Sequence, residues 1–551
     1  MNELLTDAAV GPARARRFVQ PTAAMRVAAG LARRPGYVAR RAGGLALEMG
    51  RVAGGRSDRR AAVDDRRFAD SAWQANWLLR RVLQGYLAIG ATVDDLISAA
   101  ELDWRSEGQA RFAATNVFDA LAPTNFPWSN PAVLREIVDQ GGVNLLRGGR
   151  RFIRDVSKSP RLPATVDTSK FSVGGNLAVT PGAVVLRTDV FELIQYAPQT
   201  AKVRELPLLF VPPTINKYYV LDLAPGRSLI EHMVRAGHRV FTISWRNPDR
   251  AHSHFDLDTY AESVIEARAA VAQITRAETT HLVGGCSGGT ITASALGHLA
   301  ASGGLGDIAG LSLFMCALDT ARANTAVALT SRETAAAAIA ESARKGYLDG
   351  RTLAGVFAWM RPNDLIWAFV VNNYLLGKDP PAFDILYWTQ DSVRLSAGLH
   401  RDFIELTVDN SLARPSGRTV LGEPVDLGAV ELDSYVVAGE SDHIIAWESA
   451  YRSAQLLGGK VRFVLSSGGH IQALVNPPRE ASRSRYRLSP ENARDSDAWL
   501  EQAVTHRGSW WPDWLEWLDT RCGDLSAAPK KLGSGKYNVL AEAPGVYVHA
   551  S

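Results

Sequence analysis

The sequence predicts an α/β domain built on a mainly parallel sheet and preceded by a mainly helical region. From about residue 64 to 157 apolar residues recur at helical spacing, as Trp73, Trp77, Leu78, Val82 and Tyr86 do within 72–89, and the pattern returns over 130–146. Beyond residue 170, short runs rich in β-branched and aromatic residues alternate with helical stretches, as parallel strands joined by crossover helices do. The expected strands are 183–186, 206–211, 239–244, 281–284, 310–316, 434–438 and 462–465. Between the two regions, Pro160 and Pro163 mark a linker over 158–167, because proline removes a donor and stops a helix.

Composition narrows the class. Of 551 residues, 46% are hydrophobic and 21% charged, an ordinary globular balance that excludes collagen-like and disordered chains. Cys286, Cys316 and Cys522 are too few for a disulfide framework and too far apart for a zinc site, so a reducing cytoplasm is the expected compartment. The apolar runs 311–318 and 366–371 fall far short of the roughly 20 residues that cross a bilayer, so no transmembrane segment is expected. The net charge of +4 is uneven: residues 1–60 hold twelve arginines, no lysine and four acids. Arginines interrupt every apolar stretch there, which excludes a secretory signal. The segment reads as a disordered terminus or as an amphipathic element that binds an anionic or apolar surface. No nucleic-acid partner is expected. More than a hundred mostly helical residues separate the strands at 310–316 and 434–438 and include the aromatic-rich run 356–388. Such an insertion reads as a cap over a site.

The sharpest local motif is His281-Leu-Val-Gly-Gly-Cys286-Ser-Gly-Gly-Thr290. A strand leads into Gly-x-Cys-x-Gly-Gly and then a helix, which is a nucleophile elbow with cysteine in place of serine. Gly284, Gly288 and Gly289 allow strand and helix to approach, and the N–H of Ser287 is aimed where an oxyanion develops. A buried structural cysteine in a glycine-rich loop is the bland alternative. In the α/β-hydrolase fold the acid and then the histidine follow the nucleophile. Asp442 lies after the strand 434–438 and His470 after the strand 462–465, each where catalytic groups gather in such sheets. His443, Asp433 and Glu440 compete for these roles. His443 adjoins the proposed acid in sequence, so the two side chains diverge. Cys316 is expected inside a core strand, where a thiol is inert. Trp510, Trp511, Trp514 and Trp517 read as core packing.

These motifs resemble the polyhydroxyalkanoate synthases of the single-subunit type, enzymes that polymerise 3-hydroxyacyl coenzyme A thioesters into storage polyester. The resemblance runs from about Asp65 to the C-terminus, through Pro123-Thr-Asn-Phe126, Val173-Gly-Gly-Asn-Leu-Ala178, Val211-Pro-Pro-Thr-Ile-Asn-Lys-Tyr-Tyr219, Ser244-Trp-Arg-Asn-Pro248, the cysteine elbow, Met360-Arg-Pro-Asn-Asp364, Asp442-His-Ile444, Gly469-His470, Asn476-Pro-Pro478 and Ser509-Trp-Trp-Pro-Asp513. It implies Cys286 as nucleophile, His470 as general base, Asp442 as third member and the N–H of Ile215 as second oxyanion donor beside that of Ser287. Gly285-Cys-Ser-Gly288 and His470-Ile-Gln-Ala473 are similar to the branch that uses medium-chain monomers. Gly468 departs from the family, where serine is common, and residues 1–60 have no firm counterpart there.

The resemblance further implies no cofactor, coenzyme A being a leaving group. It implies a homodimer at the surface of cytoplasmic polyester granules, in contact with the growing chain and with granule-coating proteins. The expected organisation is the Arg-rich segment 1–60, a helical domain 61–170, and an α/β-hydrolase catalytic domain 171–551 with a helical cap insertion over about 320–430. A cysteine-dependent thioesterase or polyester hydrolase is the alternative that the same three residues allow.

Overall fold

The β-branched and aromatic runs beyond residue 170 pair into one sheet of eleven strands: β1 (Gly182–Arg187), β2 (Phe191–Tyr196), β3 (Pro207–Val211), β4 (Arg239–Trp245), β5 (Thr280–Gly285), β6 (Ile308–Phe314), β7 (Ser434–Gly439), β8 (Val461–Ser466), β9 (Arg485–Leu488), β10 (Val504–Arg507) and β11 (Ala541–Glu542). This is seen in a computed structural model that describes residues 21–158, 161–321, 332–480 and 482–550. Residues 1–20 of the Arg-rich segment and 322–331 of the expected cap lie outside the described residues. The sheet order is β10-β9-β8-β7-β6-β5-β3-β4-β2-β1-β11. The six strands from β4 to β8 in that order run parallel. Antiparallel strands extend both sides. Every residue of β3, β5 and β7 is buried, as expected of parallel strands covered on both faces.

All seven expected strands are present, with one correction. The strand expected over 310–316 ends at Phe314, so Cys316 lies just beyond it, after Met315 turns the chain at a φ of 48°. The thiol is nonetheless buried, and burial pushes it up to about 12. The four tryptophans are core, as expected, on or beside the helix Trp511–Asp519. Their polar edges are also used. The indole N–H of Trp510 donates to the carbonyl of Ala473 at 2.8 Å and that of Trp511 to the carbonyl of Leu474 at 3.2 Å. Both acceptors sit at the end of the short helix His470–Leu474, which these bonds fix in place.

The chain forms two compact units. One comprises Thr168–Ala354 and the chain from Phe383 onward, and holds the sheet. The other takes the described residues up to Asp167 together with Gly355–Ala382. The expected cap is therefore not one body: its aromatic stretch up to Ala382 belongs with the helices that precede residue 168. Packing within that helical unit gives the reason. Tyr374 meets Phe152 edge-on at 5.4 Å and its hydroxyl donates to Asp155 at 3.0 Å. Asn144 donates to the carbonyl of Leu375 at 2.8 Å, and a Cβ on Gly148 would overlap the backbone of Tyr374. Arg67 joins Asp65, Asp119 and Asn363.

The described part of the Arg-rich segment is helical over Pro21–Ala32 and Pro35–Ala53. Arg26 donates to Ser106 at 2.7 Å, Arg41 pairs with Asp95 at 3.0 Å and Arg34 pairs with Glu101. Part of the positive charge is thus spent inside the unit. Among the described residues no helix is long and apolar enough to cross a membrane.

The glycines of the elbow differ in how much they are needed. A Cβ on Gly288 would overlap the carbonyl oxygens of Val211 and Pro212, whereas one on Gly285 would meet only Pro213 at an ordinary 3.7 Å. Gly288→Ala should lower stability by roughly 1–3 kcal/mol or more, and Gly285→Ala should stay within about 0.5 kcal/mol. Urea unfolding of both checks this; equal cost would show that the elbow does not need the close approach.

Candidate active site

Three loops at the carboxyl ends of parallel strands bring the expected residues together. Cys286 follows β5 directly and precedes the helix Ser287–Ser302. Its φ of 53° and ψ of −120° lie where side chains are disfavoured, at a cost of roughly 1–3 kcal/mol. The turn persists because its neighbours cannot relax: a Cβ on Gly284 would lie 2.6 Å from Cα of Gly289, and one on Gly289 2.7 Å from Sγ of Cys316. That tight crossing is the reason for glycine on both sides of the cysteine.

Asp442 and His470 stand on neighbouring loops because β7 and β8 pair in parallel, Gly439 opposite Ser466. Two backbone bonds continue the pairing past the strand ends, Glu440 N–H to the carbonyl of Ser466 at 2.8 Å and Ser441 N–H to that of Gly468 at 3.0 Å. Gly468 has a φ of 107°, a conformation that suits glycine. His470 then opens its short helix.

The side chains make a continuous chain of hydrogen bonds. Sγ of Cys286 lies 3.0 Å from Nε2 of His470, and Nδ1 of His470 lies 2.6 Å from Oδ2 of Asp442. The other carboxylate oxygen accepts the N–H groups of Ile444 at 2.8 Å and Ile445 at 3.0 Å. Asp442 therefore also caps its own loop, which removes its freedom to turn from the imidazole. All three are nearly closed off, Cys286 at 7% and His470 at 5% exposure. Burial alone would lower the basicity of the imidazole. The charges of Asp442 and Cys286, with their hydrogen bonds to the ring, outweigh it and raise His470 to about 10. Burial likewise opposes ionisation of Asp442, but His470 and the two N–H groups hold the carboxyl below its ordinary range.

The competing residues are engaged elsewhere. Asp433 pairs with Arg521 at 3.0 Å and Glu440 with Arg487 at 2.7 Å. The ring that bridges Cys286 and Asp442 is that of His470. The other two thiols stay protonated: burial pushes Cys522, like Cys316, up to about 12.

Sequence reasoning missed how the loop after β3 is attached. The N–H of Thr214 donates to Oγ of Ser287 at 2.9 Å, and the two hydroxyl oxygens lie 3.1 Å apart. Ser287, the residue next to the cysteine, thus holds Thr214, the residue next to Ile215. Among the described residues, no backbone carbonyl takes the N–H of Ser287 or Ile215. Side-chain bonds between distant segments carry no periodic signal, and only the presence of small hydroxyl residues in both motifs hinted at them.

The raised His470 links the site to stability. The folded state keeps a proton that a free histidine, with its value of 6.5, would release. The stabilisation is complete below about pH 6.5 and is lost as pH rises toward 10. Thermal midpoints should therefore fall over this window more steeply in the parent than in Asp442→Asn, where the charge that raises His470 is gone. Equal slopes would contradict the coupling.

Comparison with known proteins bears on the whole chain. The family described as "Poly-beta-hydroxybutyrate polymerase (PhaC) N-terminus" matches residues 64–233, and the family described as "alpha/beta hydrolase fold" matches residues 207–477. Poly(3-hydroxyalkanoate) polymerase 1 of Ectopseudomonas oleovorans is 43% identical over 517 residues, covering 94% of this chain and 92% of that protein. The poly(3-hydroxyalkanoate) polymerase subunit PhaC of Cupriavidus necator is 38% identical over 91% of this chain and 85% of its own length. Likeness of this extent, on an α/β-hydrolase sheet, makes the chain a member of the poly(3-hydroxyalkanoate) polymerase family.

Proposed function

We propose that this polymerase works through an acyl-cysteine intermediate, with Cys286 as nucleophile, His470 as acid and base, and Asp442 as the residue that orients and charges the imidazole. What supports the reading is the hydrogen-bonded sequence from Sγ of Cys286 through both nitrogens of His470 to Asp442. Cys286 attacks as a thiolate, its proton held on His470. The carbonyl of a 3-hydroxyacyl coenzyme A thioester becomes tetrahedral, its oxyanion taken by the N–H groups of Ser287 and Ile215. The carbon–sulfur bond to coenzyme A then breaks and His470 gives the leaving thiolate a proton. Exchange of one thioester for another is close to neutral in energy.

In the second half the 3-hydroxyl of another unit gives its proton to His470 and attacks the acyl-cysteine. An ester bond forms, the bond to Sγ breaks, and the thiolate–imidazolium pair is restored. Water in place of that hydroxyl would make the same residues a thioesterase, so exclusion of water separates the two activities. Coenzyme A is a leaving group in this scheme. We take the monomers to be medium-chain, on the likeness of Gly285-Cys-Ser-Gly288 and His470-Ile-Gln-Ala473, and place the enzyme as a homodimer at the granule surface, with the growing polyester and coating proteins as partners.

One experiment tests the reading: incubation with 3-hydroxyacyl coenzyme A of several chain lengths, following thiol release and product mass. The parent should release thiol and make polyester, fastest with medium-chain monomers, and folded Cys286→Ala should do neither. Free 3-hydroxy acid as the main product would identify the thioesterase. Rapid quenching divides the roles. His470→Ala should block acylation, whereas Asp442→Asn should slow chain elongation more than acylation, because a cysteine beside a histidine ionises more easily than a hydroxyl. Equal loss of both phases in both variants would contradict that division.

A further inference from the structure

The loop after β3 is held at both ends of Ile215. On one side Thr214 is tied to Ser287. On the other, the amide of Asn216 donates to the carbonyls of Trp388 at 3.2 Å and Thr389 at 3.3 Å. The indole N–H of Trp388 returns a bond to the carbonyl of Lys217 at 2.7 Å. The ammonium of Lys217 meets Asp391 at 2.7 Å, and the other oxygen of that carboxylate accepts the hydroxyl of Tyr219 at 2.8 Å. Five polar links thus join residues 216–219 to one short segment, the helix Asp384–Gln390 and the Asp391 that ends it.

Stability alone does not account for this set. Lys217 and Trp388 are both buried. An ion pair that takes a lysine out of water, here onto the half-buried Asp391, seldom stabilises a fold more than apolar residues of the same size would, and its better-attested use is to fix geometry. Asn216 also sits at a φ of 62°, a left-handed conformation that asparagine tolerates better than most residues. The chain is bent there so that the amide can reach the helix.

Resting on the oxyanion reading above, we infer that Asn216, Lys217, Trp388 and Asp391 are positioning residues that clamp the loop 213–217 to the helix Asp384–Gln390 and so set where the N–H of Ile215 stands relative to Cys286. They touch no reacting atom. The helix Asp384–Gln390, expected as cap, is by this inference part of the frame of the oxyanion site. An N–H donor displaced by a fraction of an ångström loses transition-state stabilisation while substrate binding persists.

Two substitutions test the clamp in the full chain. Asn216→Gly keeps the positive φ and deletes the tether; Trp388→Phe keeps the buried ring and deletes the N–H bonded to Lys217. With a 3-hydroxyacyl coenzyme A thioester, each should lower kcat for thiol release about tenfold or more with KM within about twofold. The rate at which iodoacetamide alkylates Cys286 should stay at the parental value, because the Cys286–His470–Asp442 chain is untouched. Parental kcat in either folded variant would overturn the inference, as would an alkylation rate that falls in step with kcat, which marks general distortion. If Asn216→Gly does not fold, Trp388→Phe decides alone. Turnover by Cys286→Ala would instead overturn the parent reading, whatever these two variants do.

Discussion

The site depends on the backbone of Cys286, fixed at a positive φ between the end of β5 and the start of the helix behind it. A free chain would leave that conformation at once. It is kept because β3, β5 and β6 are hydrogen-bonded neighbours and because Gly284, Gly288 and Gly289 let the helix press onto them without side chains between. The strain therefore rests on the sheet, and the sheet gives it a fixed direction. Sγ stands out from the turn towards the loops of β7 and β8, and the parallel register of those strands sets Asp442 and His470 side by side.

A second layer of bonds keeps the loops from drifting. Trp510 and Trp511 hold the end of the His470 helix, the N–H groups of Ile444 and Ile445 hold Asp442, and Ser287 holds Thr214. Each of these partners is buried or half-buried, so water competes weakly for the bonds. The aromatic cluster under the site has two roles as a result. Its rings fill the core beneath β6 and β7, and the indole N–H groups of Trp510 and Trp511 reach carbonyls that the short helix leaves open.

Much of this was legible in the sequence because the relevant residues obey local rules. Central strands are apolar runs, an elbow needs glycines at fixed offsets, and an acid and a base after successive strands follow the order of the fold. The seven strands expected from apolar runs are all present, and Cys286, His470 and Asp442, singled out from the sequence, stand in one hydrogen-bonded chain. The rest escaped for physical reasons. β2 carries Glu192 and Gln195 and is not among the expected strands, yet it is fully buried, its glutamate satisfied by Arg187 and the N–H groups of Val546 and Tyr547. β9 and the edge strand β10 are rich in arginine and histidine, because pairing rather than burial makes them strands. The aromatic run after residue 355 showed its apolarity but not its partner, since a helical face reads alike whichever unit it packs in. The attachments of Thr214 and Asn216 join distant segments and left no periodic pattern.

The most direct measurement asks where the acyl group goes. A thioester whose acyl chain lacks the 3-hydroxyl can load the enzyme but cannot extend it. The full chain incubated with it should gain one acyl mass in step with coenzyme A release. Fragmentation of the peptide that carries both Cys286 and Cys316 should place that mass on Cys286. Release of coenzyme A with no adduct, or an adduct on Cys316 or elsewhere, would contradict the account.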